Sequence, residues 1–413
     1  MNVVRRSAAA LAATAVIGTA TPAVAASPSP SPSVAIPDGL YGTTDPTYDG
    51  VWRQSLALLA QHTVGVEPAR AATNWLAGQQ CADGAFAAFR AGPDAACKAD
   101  TNSTGAAVQA LAEIGGYEAG VDKAVRWLKS VQNEDGGWGY FAGGASDANS
   151  TSVVIGALAE GGVTVPDLRK GGKSPYDALL KLALPCGDGK DGGAFAYQPD
   201  KKGELAANAD ATAAAVLGVQ GETLAGSAQD EDDSAGTCRK VDGALPVQAG
   251  SNGAAWLARA LAKDGHLTTA LPGADPQPDY GNTADAVVAL STSGLGAQAA
   301  KPLHWLESNA GAWAAKSGPA AYAQLVFAAA ATPGGDVHDF GGVDLVTKLN
   351  ATGPTPESVD ELPTAGASDA KGSSDDSSSD KGGLSVAWTV GGGLLIGALI
   401  GFALMLRGRK RQQ

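Results

Sequence analysis

Two stretches of this chain carry the residue types of acid catalysis. Asp230-Glu231-Asp232-Asp233 sets four acids in a row, and Glu134-Asp135 pairs two just ahead of Trp138 and Tyr140. A carboxyl group protonates a reluctant acceptor only where burial or a like charge raises its own proton affinity. Neither stretch offers that. Asp230 to Asp233 lie in a Ser/Gly-rich loop, AGSAQDEDDSAGTCRK, with no apolar helix after it, so the acids are solvated and charged: a decoy for Asp-x-Asp-Asp. Glu134 and Asp135 stand in QNEDGGW, where Asp-Gly is the residue pair of a left-handed turn.

A third polar group recurs: DTNST from Asp100, DANST from Asp147, NADAT from Asn208 and DYGNT from Asp279. Asp, Asn, Ser and Thr are the preferred helix N-caps. Exposed amides at such helix starts also make acceptor-binding sites. The candidate binding rim is therefore Asp100, Asn102, Thr104, Asp147, Asn149, Thr151, Asp210, Thr212, Asn282 and Thr283, with Trp138 and Tyr140 beside it for stacking.

These segments sit inside a repeat. Trp75, Trp127, Trp256 and Trp305 each close an amphipathic helix, and Asp83-Gly84, Asp135-Gly136 and Asp264-Gly265 follow in the same register; PYDALLKLALPCGDGKDGGAFAY is a degenerate copy. A turn residue recurs in this way and a catalytic acid does not. After each turn comes an apolar, small-residued helix ending at glycine, such as GAAVQALAEIGG or ADAVVALSTSG. Half units stand at both ends, Asp45 to Gly65 as an inner helix and VDLVTKLN as an outer one. The predicted fold is all-α: an α/α toroid of about five to six helical hairpins in two concentric layers, ring closure following from the count.

The ends of the chain set the compartment. Residues 1–25, with Arg5, Arg6 and Ala23-Val24-Ala25, form a secretory signal, and 26–39 a Pro/Ser-rich spacer. Residues 40–350 are the globular body and 351–383 a disordered acidic Ser/Gly-rich stalk. Residues 384–406 are charge-free and long enough for a transmembrane helix, and the basic tail 407–413 stays cytoplasmic. Leu362-Pro363-Thr364-Ala365-Gly366 resembles a sortase signal with Ala365 in place of threonine, which makes wall attachment the alternative anchor. The net charge of −13 includes the cations of both ends, so the exposed part is more acidic still, and nucleic acid is not an expected partner. Cys81, Cys97, Cys186 and Cys238 are an even set in an exported chain. Sequence order favours Cys81 with Cys97 and Cys186 with Cys238 among three open pairings. No C-x-x-C occurs and His62, His266, His304 and His338 are scattered, so no metal site is expected.

Gln132-x-x-Asp135-Gly136-Gly137-Trp138 after a Trp-Leu helix resembles the repeat of the prenyltransferase and squalene/hopene cyclase superfamily, over about residues 40–350. That superfamily holds terpene cyclases, protein prenyltransferase β subunits, complement-type thioester domains and cobalamin carriers of the transcobalamin and intrinsic factor type. The apolar helices lack aromatic residues to stabilise a cation, with Tyr322 and Phe327 as the exceptions, and no thioester G-C-G-E-Q is present. By analogy with the carriers, the expectation is a non-catalytic, membrane-anchored cell-surface protein. It would require no cofactor and would capture a small-molecule ligand, a bulky cobalamin-like compound, for an uptake system, with a membrane transporter or a second binding subunit as partner. The alternatives are a terpenoid cyclase-like enzyme and a purely structural or adhesive surface module.

Overall fold

The computed structural model describes residues 35–359, except 188, 233–235, 241–244 and 270–274. The expected signal and start of the spacer, the Leu362–Gly366 motif, the apolar 384–406 segment and residues 407–413 lie outside the described residues. Among the described residues no helix is long and apolar enough to cross a membrane. The fold continues past 350, where the sequence suggests a stalk: Glu357 pairs with Arg70 at 3.1 Å.

Among the described residues, six apolar helices form an inner layer: α1 (Gly50–Thr63), α3 (Thr101–Ile114), α5 (Ala148–Glu160), α7 (Ala209–Gln220), α9 (Tyr280–Thr292) and α12 (Pro319–Ala331). Each packs on the next, and α12 packs back on α1, so the layer closes into a ring. Outside lie α2 (Arg70–Gly78), α4 (Glu118–Ser130), α6 (Pro175–Leu180), α8 (Pro246–Leu261), α10 (Gly296–Asn309) and α13 (Leu345–Asn350), with α11 (Gly311–Ser317) between α10 and α12. The two half units of the sequence meet at the seam. Gln61 on α1 donates to Asn350 on α13 at 2.7 Å, and β1 (Val66–Glu67) pairs with β8 (Ser358–Val359).

Small residues let the inner helices approach closely. A Cβ on Gly218 of α7 would stand 2.7 Å from the Ser152 Cβ on α5. Three more two-stranded ribbons lead into inner helices: β2 (Phe86–Ala87) with β3 (Ala99–Asp100), β4 (Phe195–Ala196) with β5 (Ala207–Asn208), and β6 (Leu267–Thr269) with β7 (Gln277–Asp279). The Asp135-Gly136 stretch is a turn. Gly136 has φ +92°, where a Cβ would run into the Ser174 carbonyl of the next unit. Gln132 Nε2 donates to the Gly136 carbonyl at 2.7 Å, and Asp135 Oδ1 accepts from Gly137 N and Ser146 Oγ. The structure joins Cys81 to Cys97 and Cys186 to Cys238.

Candidate functional site

Four inner helices begin with the same construction at one end of the ring. The cap side chains of Asp100, Asp147, Asn208 and Asp279 accept from the backbone N–H of Ser103, Ser150, Ala211 and Asn282. Four residues into each pattern, Thr104, Thr151, Thr212 and Thr283 are fully buried. Each threonine hydroxyl accepts from the backbone N–H that leads out of the preceding turn: Phe86, Trp138, Phe195 and Leu267. The threonines thus clip turn to helix and face no rim. Trp138 is also fully buried, its Nε1 donating to the Leu128 carbonyl at 2.8 Å, with Phe86 and Phe195 buried in the same register.

What remains open at this end is narrower than the predicted rim. Asn102, Asn149, Asp210, Asn282 and Tyr140 are partly exposed, whereas Asp100 and Asp147 are 1% exposed. Asn149 Nδ2 on α5 donates to Asp210 Oδ2 on α7 at 2.5 Å. The Asn149 Oδ1 is buried with no hydrogen-bond partner. Asn282 Nδ2 instead turns back to its own cap, donating to Asp279 Oδ2 at 2.7 Å.

The acids of this end share a common shift. Burial pushes Asp100 and Asp147 up to about 7, opposed by the hydrogen bonds from Ser103 and Ser150. Burial raises Asp210, against the Asn149 hydrogen bond and with the charge of Asp279. Asp285, two turns down α9, is pushed up to about 7 by burial, against its bond from Gln324, and further by Asp210 and Asp279. Gln324 Nε2 on α12 reaches both Asp285 oxygens, at 2.9 and 3.1 Å. Asp210 and Asp285 keep part of their surface open. They combine access with a raised proton affinity, the two properties a proton donor needs.

Aromatic rings surround this cluster. The Tyr197 phenol faces Asp147 and Asp210, and that of Tyr140 faces Asp100; burial raises both. Tyr280, next to the Asp279 cap, stacks between Trp305 and Trp313 at 5.2 and 5.6 Å, and Trp305 stacks on His266 at 4.3 Å. A Cβ on Gly281, in the first turn of α9, would stand 3.5 Å from Gln324 and 3.7 Å from Trp313. The expectation that Tyr322 and Phe327 are the only aromatic residues of the inner helices fails: α1 carries Trp52 and α9 begins with Tyr280. At the N-terminal end of the ring Tyr140 and Tyr197 come from the loops before the inner helices, Tyr280 from the first residue of α9, and Trp305 and Trp313 from α10 and α11.

Asp285, Asp279, Tyr197, Tyr280, Trp313 and Gln324 are absent from the predicted site. One signal was available for Asp285: it stands where the other units carry Ala106, Val153 and Ala214, an acid in an apolar register. Tyr197 likewise repeats the register of Tyr140.

The acidic loop lies at the opposite end of the ring. Leu224 N donates to Gln109 Oε1 on α3, Gln229 N to the Ser291 carbonyl on α9, and Asp232 N to the Gly294 carbonyl, so the segment straps the C-terminal ends of α3 and α9. Asp230, Glu231 and Asp232 are exposed there; Asp233 lies outside the described residues. Two cavities, of ≈ 170 Å³ by Tyr322 and Phe340 and ≈ 330 Å³ by Gln80 and Tyr117, include none of the acid cluster.

No family model matches the chain. A stretch of 81 residues, 20% of this chain, is 38% identical to the drimenyl diphosphate synthase of Streptantibioticus cattleyicolor, and it spans 13% of that protein. Two solved structures resemble the chain. One, a protein from Actinoplanes, has TM-score 0.43 and 19% identity, covering 67% of this chain and 76% of that one. The other, the ent-copalyl diphosphate synthase of Streptomyces platensis, has TM-score 0.45 and 18% identity, covering 68% and 50%. Likenesses at those TM-scores carry no weight here. The sequence match supports a terpenoid cyclase-like superfamily. It corrects two expectations: the matched protein is a synthase, which overturns both the non-catalytic, cobalamin-like carrier and the reading of the chain as a non-enzyme. Neither the surface anchor nor the cobalamin analogy gains support from it.

Proposed function

We propose that this chain is a terpenoid cyclase-like enzyme that starts a cyclisation by protonating a terminal alkene of an isoprenoid. The frame is the closed double ring of helices, an α/α toroid, and the observation that carries the reading is the Asp210 carboxyl. It is accessible, raised in proton affinity by burial and by Asp279, and held by Asn149 through one oxygen. Among the described residues its other oxygen has no hydrogen-bond partner. In the first step the Asp210 O–H gives its proton to the less substituted alkene carbon. The π electrons form the new C–H bond, and the positive charge falls on the other carbon. The next double bond closes the ring by donating its electrons to that cation, and loss of a proton to solvent ends the sequence. Solvent returns a proton to the Asp210 carboxylate. Asp279 disfavours the ionised form of Asp210, and the ring of Tyr197 beside Asp210 can stabilise a nearby cation.

The location of this activity is the extracellular face of the membrane, by the signal-like residues 1–25, the apolar 384–406 segment and the two disulfides. The test of the reaction is incubation with linear isoprenoids in D2O followed by mass spectrometry. A cyclic product carrying deuterium on the carbon that was the terminal alkene is expected. Cyclic product without deuterium, or none from any chain length, overturns the reading.

A further inference from the structure

The last inner helix departs from the other repeats at one residue. Thr104, Thr151, Thr212 and Thr283 each stand four residues after their helix N-cap and are bonded to the turn before them. On α12 the N-cap is Gly318, and the same register is held by Tyr322. No ribbon leads into α12, because α11 stands there instead, and no outgoing backbone N–H meets the side chain. Tyr322 is 8% exposed, and its hydroxyl has no hydrogen-bond partner among the described residues. Burial pushes its phenol up.

Tyr322 lines the cavity of ≈ 170 Å³ between α11, α12 and the segment that runs into α13. Leu325, Phe340, Val343 and Leu345 give it apolar walls, and the alanines of α11, Ala314 and Ala315, leave room that larger side chains would fill. The wall is tied in place. Phe340 N donates to the Val343 carbonyl at 2.9 Å, Val343 N to that of Phe340 at 3.2 Å, and Leu345 N to that of Val337 at 2.9 Å. Gly341, at φ +60°, lies so near the Glu307 carbonyl that a Cβ would come within 2.3 Å of it. Held at these points, the turn does not sink into the gap and the space stays open. The cavity is separate from the acid cluster: Gln324 reaches Asp285 on α9, whereas Tyr322 and Leu325 of the same helix face the cavity.

We propose that this cavity is a binding site of its own, for a small neutral molecule that is mainly apolar and carries one hydrogen-bonding group for the Tyr322 hydroxyl. Its volume is close to that of a cavity of about 150 Å³ that takes benzene, so the ligand has about six to ten non-hydrogen atoms. Sites for drug-sized ligands are larger, about 300–1,000 Å³. The apolar walls offer nothing to replace the hydration of a charge, and the two charged lining residues, Glu307 and Lys348, oppose each other in sign. A hydroxyl both donates and accepts, so a small phenol, alcohol or ketone satisfies Tyr322, whereas a hydrocarbon of the same size leaves it unpaired. The proposal does not depend on the cyclase reading.

Fluorine NMR titration of the full chain with para-fluorophenol, fluorobenzene and para-fluorobenzoate tests the site. Para-fluorophenol is expected to bind saturably with a Kd on the order of 0.1–1 mM. Fluorobenzene should bind about three- to tenfold more weakly for want of the hydrogen bond, and the charged para-fluorobenzoate more weakly than either. Tyr322→Phe should bring para-fluorophenol to the affinity of fluorobenzene and leave fluorobenzene unchanged. Ala314→Leu fills the space and should remove binding of both. Should that variant fail to fold, Ala315→Leu narrows the same wall from an exposed position and is expected to weaken both. No saturable binding of para-fluorophenol, equal affinity for the three probes, or binding untouched by Tyr322→Phe and by a folded leucine variant overturns the proposal.

Discussion

The two ends of the ring both carry carboxylates, and they differ in how those carboxylates are brought together. At the C-terminal ends of the inner helices, Asp230, Glu231 and Asp232 are neighbours in sequence, exposed to water, and lie on a strap. At the N-terminal ends, Asp210 comes from α7, Asp285 from α9, Asp279 from the cap of α9 and Asp147 from the cap of α5; none is adjacent in sequence to another. Water surrounds the first group. Protein surrounds the second and makes each a reluctant anion. Convergence from separate helices, and not a run of acids in the sequence, is what gathers the acids of raised proton affinity on which the proposed proton donor rests.

The largest effect should separate the two ends by activity. Asp210→Asn removes the proton and keeps the shape, so cyclisation is expected to fall by roughly 10²–10⁴-fold. Asp230→Asn is expected to leave the rate within about twofold, as for a surface change. Equal losses in the two variants would return the acid to the loop and break the comparison.

The second effect is on stability against pH. Asp100 and Asp147 have folded-state values of about 7, above the ordinary carboxylate value near 4. The folded chain therefore holds protons that the unfolded chain has lost. That stability is full below about pH 4 and falls as pH rises through about 7. Thermal or urea unfolding should show lower stability at pH 8 than at pH 5, on the order of a few kcal/mol. Asp147→Asn should flatten the profile, and an unchanged slope would mean that Asp147 is not protonated in the fold.

A smaller effect follows from the threonine clip. Thr212 Oγ1 donates to the Asn208 carbonyl at 2.6 Å and accepts from Phe195 N at 2.9 Å. Thr212→Val should cost about 1–3 kcal/mol by leaving that N–H unpaired in the core, while Thr212→Ser keeps most of the stability. If Thr212 were instead a ligand contact, the valine variant would lose binding with its melting temperature intact.

Local physics wrote itself plainly into the sequence, and the tertiary pairings did not. The helix periodicity, the Asp and Asn caps, the Asp-Gly turn and the half units that meet at the seam all act over a few residues or repeat several times. Asn149 and Asp210 are 61 positions apart, Asp285 and Gln324 are 39, and Leu224 and Gln109 are 115. No pattern of residue types announces such partners, because each depends on which helix ends face each other once the ring has closed. The polar rim was too generous for the same reason. A threonine at a helix start looks alike in sequence whether it faces a mouth or ties down the preceding turn.

The smallest effect concerns the loop itself, and it asks what those acids do if they do not donate protons. Glu231 Oε1 accepts from Ala297 N at 2.7 Å, in the first turn of α10, where unpaired N–H groups and the helix dipole favour a negative charge. The string of acids then belongs to the capping of α10 and the anchoring of the strap. Glu231→Gln should cost about 0.3–1 kcal/mol, a cost that shrinks in high salt as the charge is screened. Catalytic rate should not change. A glutamine that lowers turnover without lowering the melting temperature would give the loop a part in the chemistry, and the two ends of the ring would no longer divide into one that reacts and one that holds.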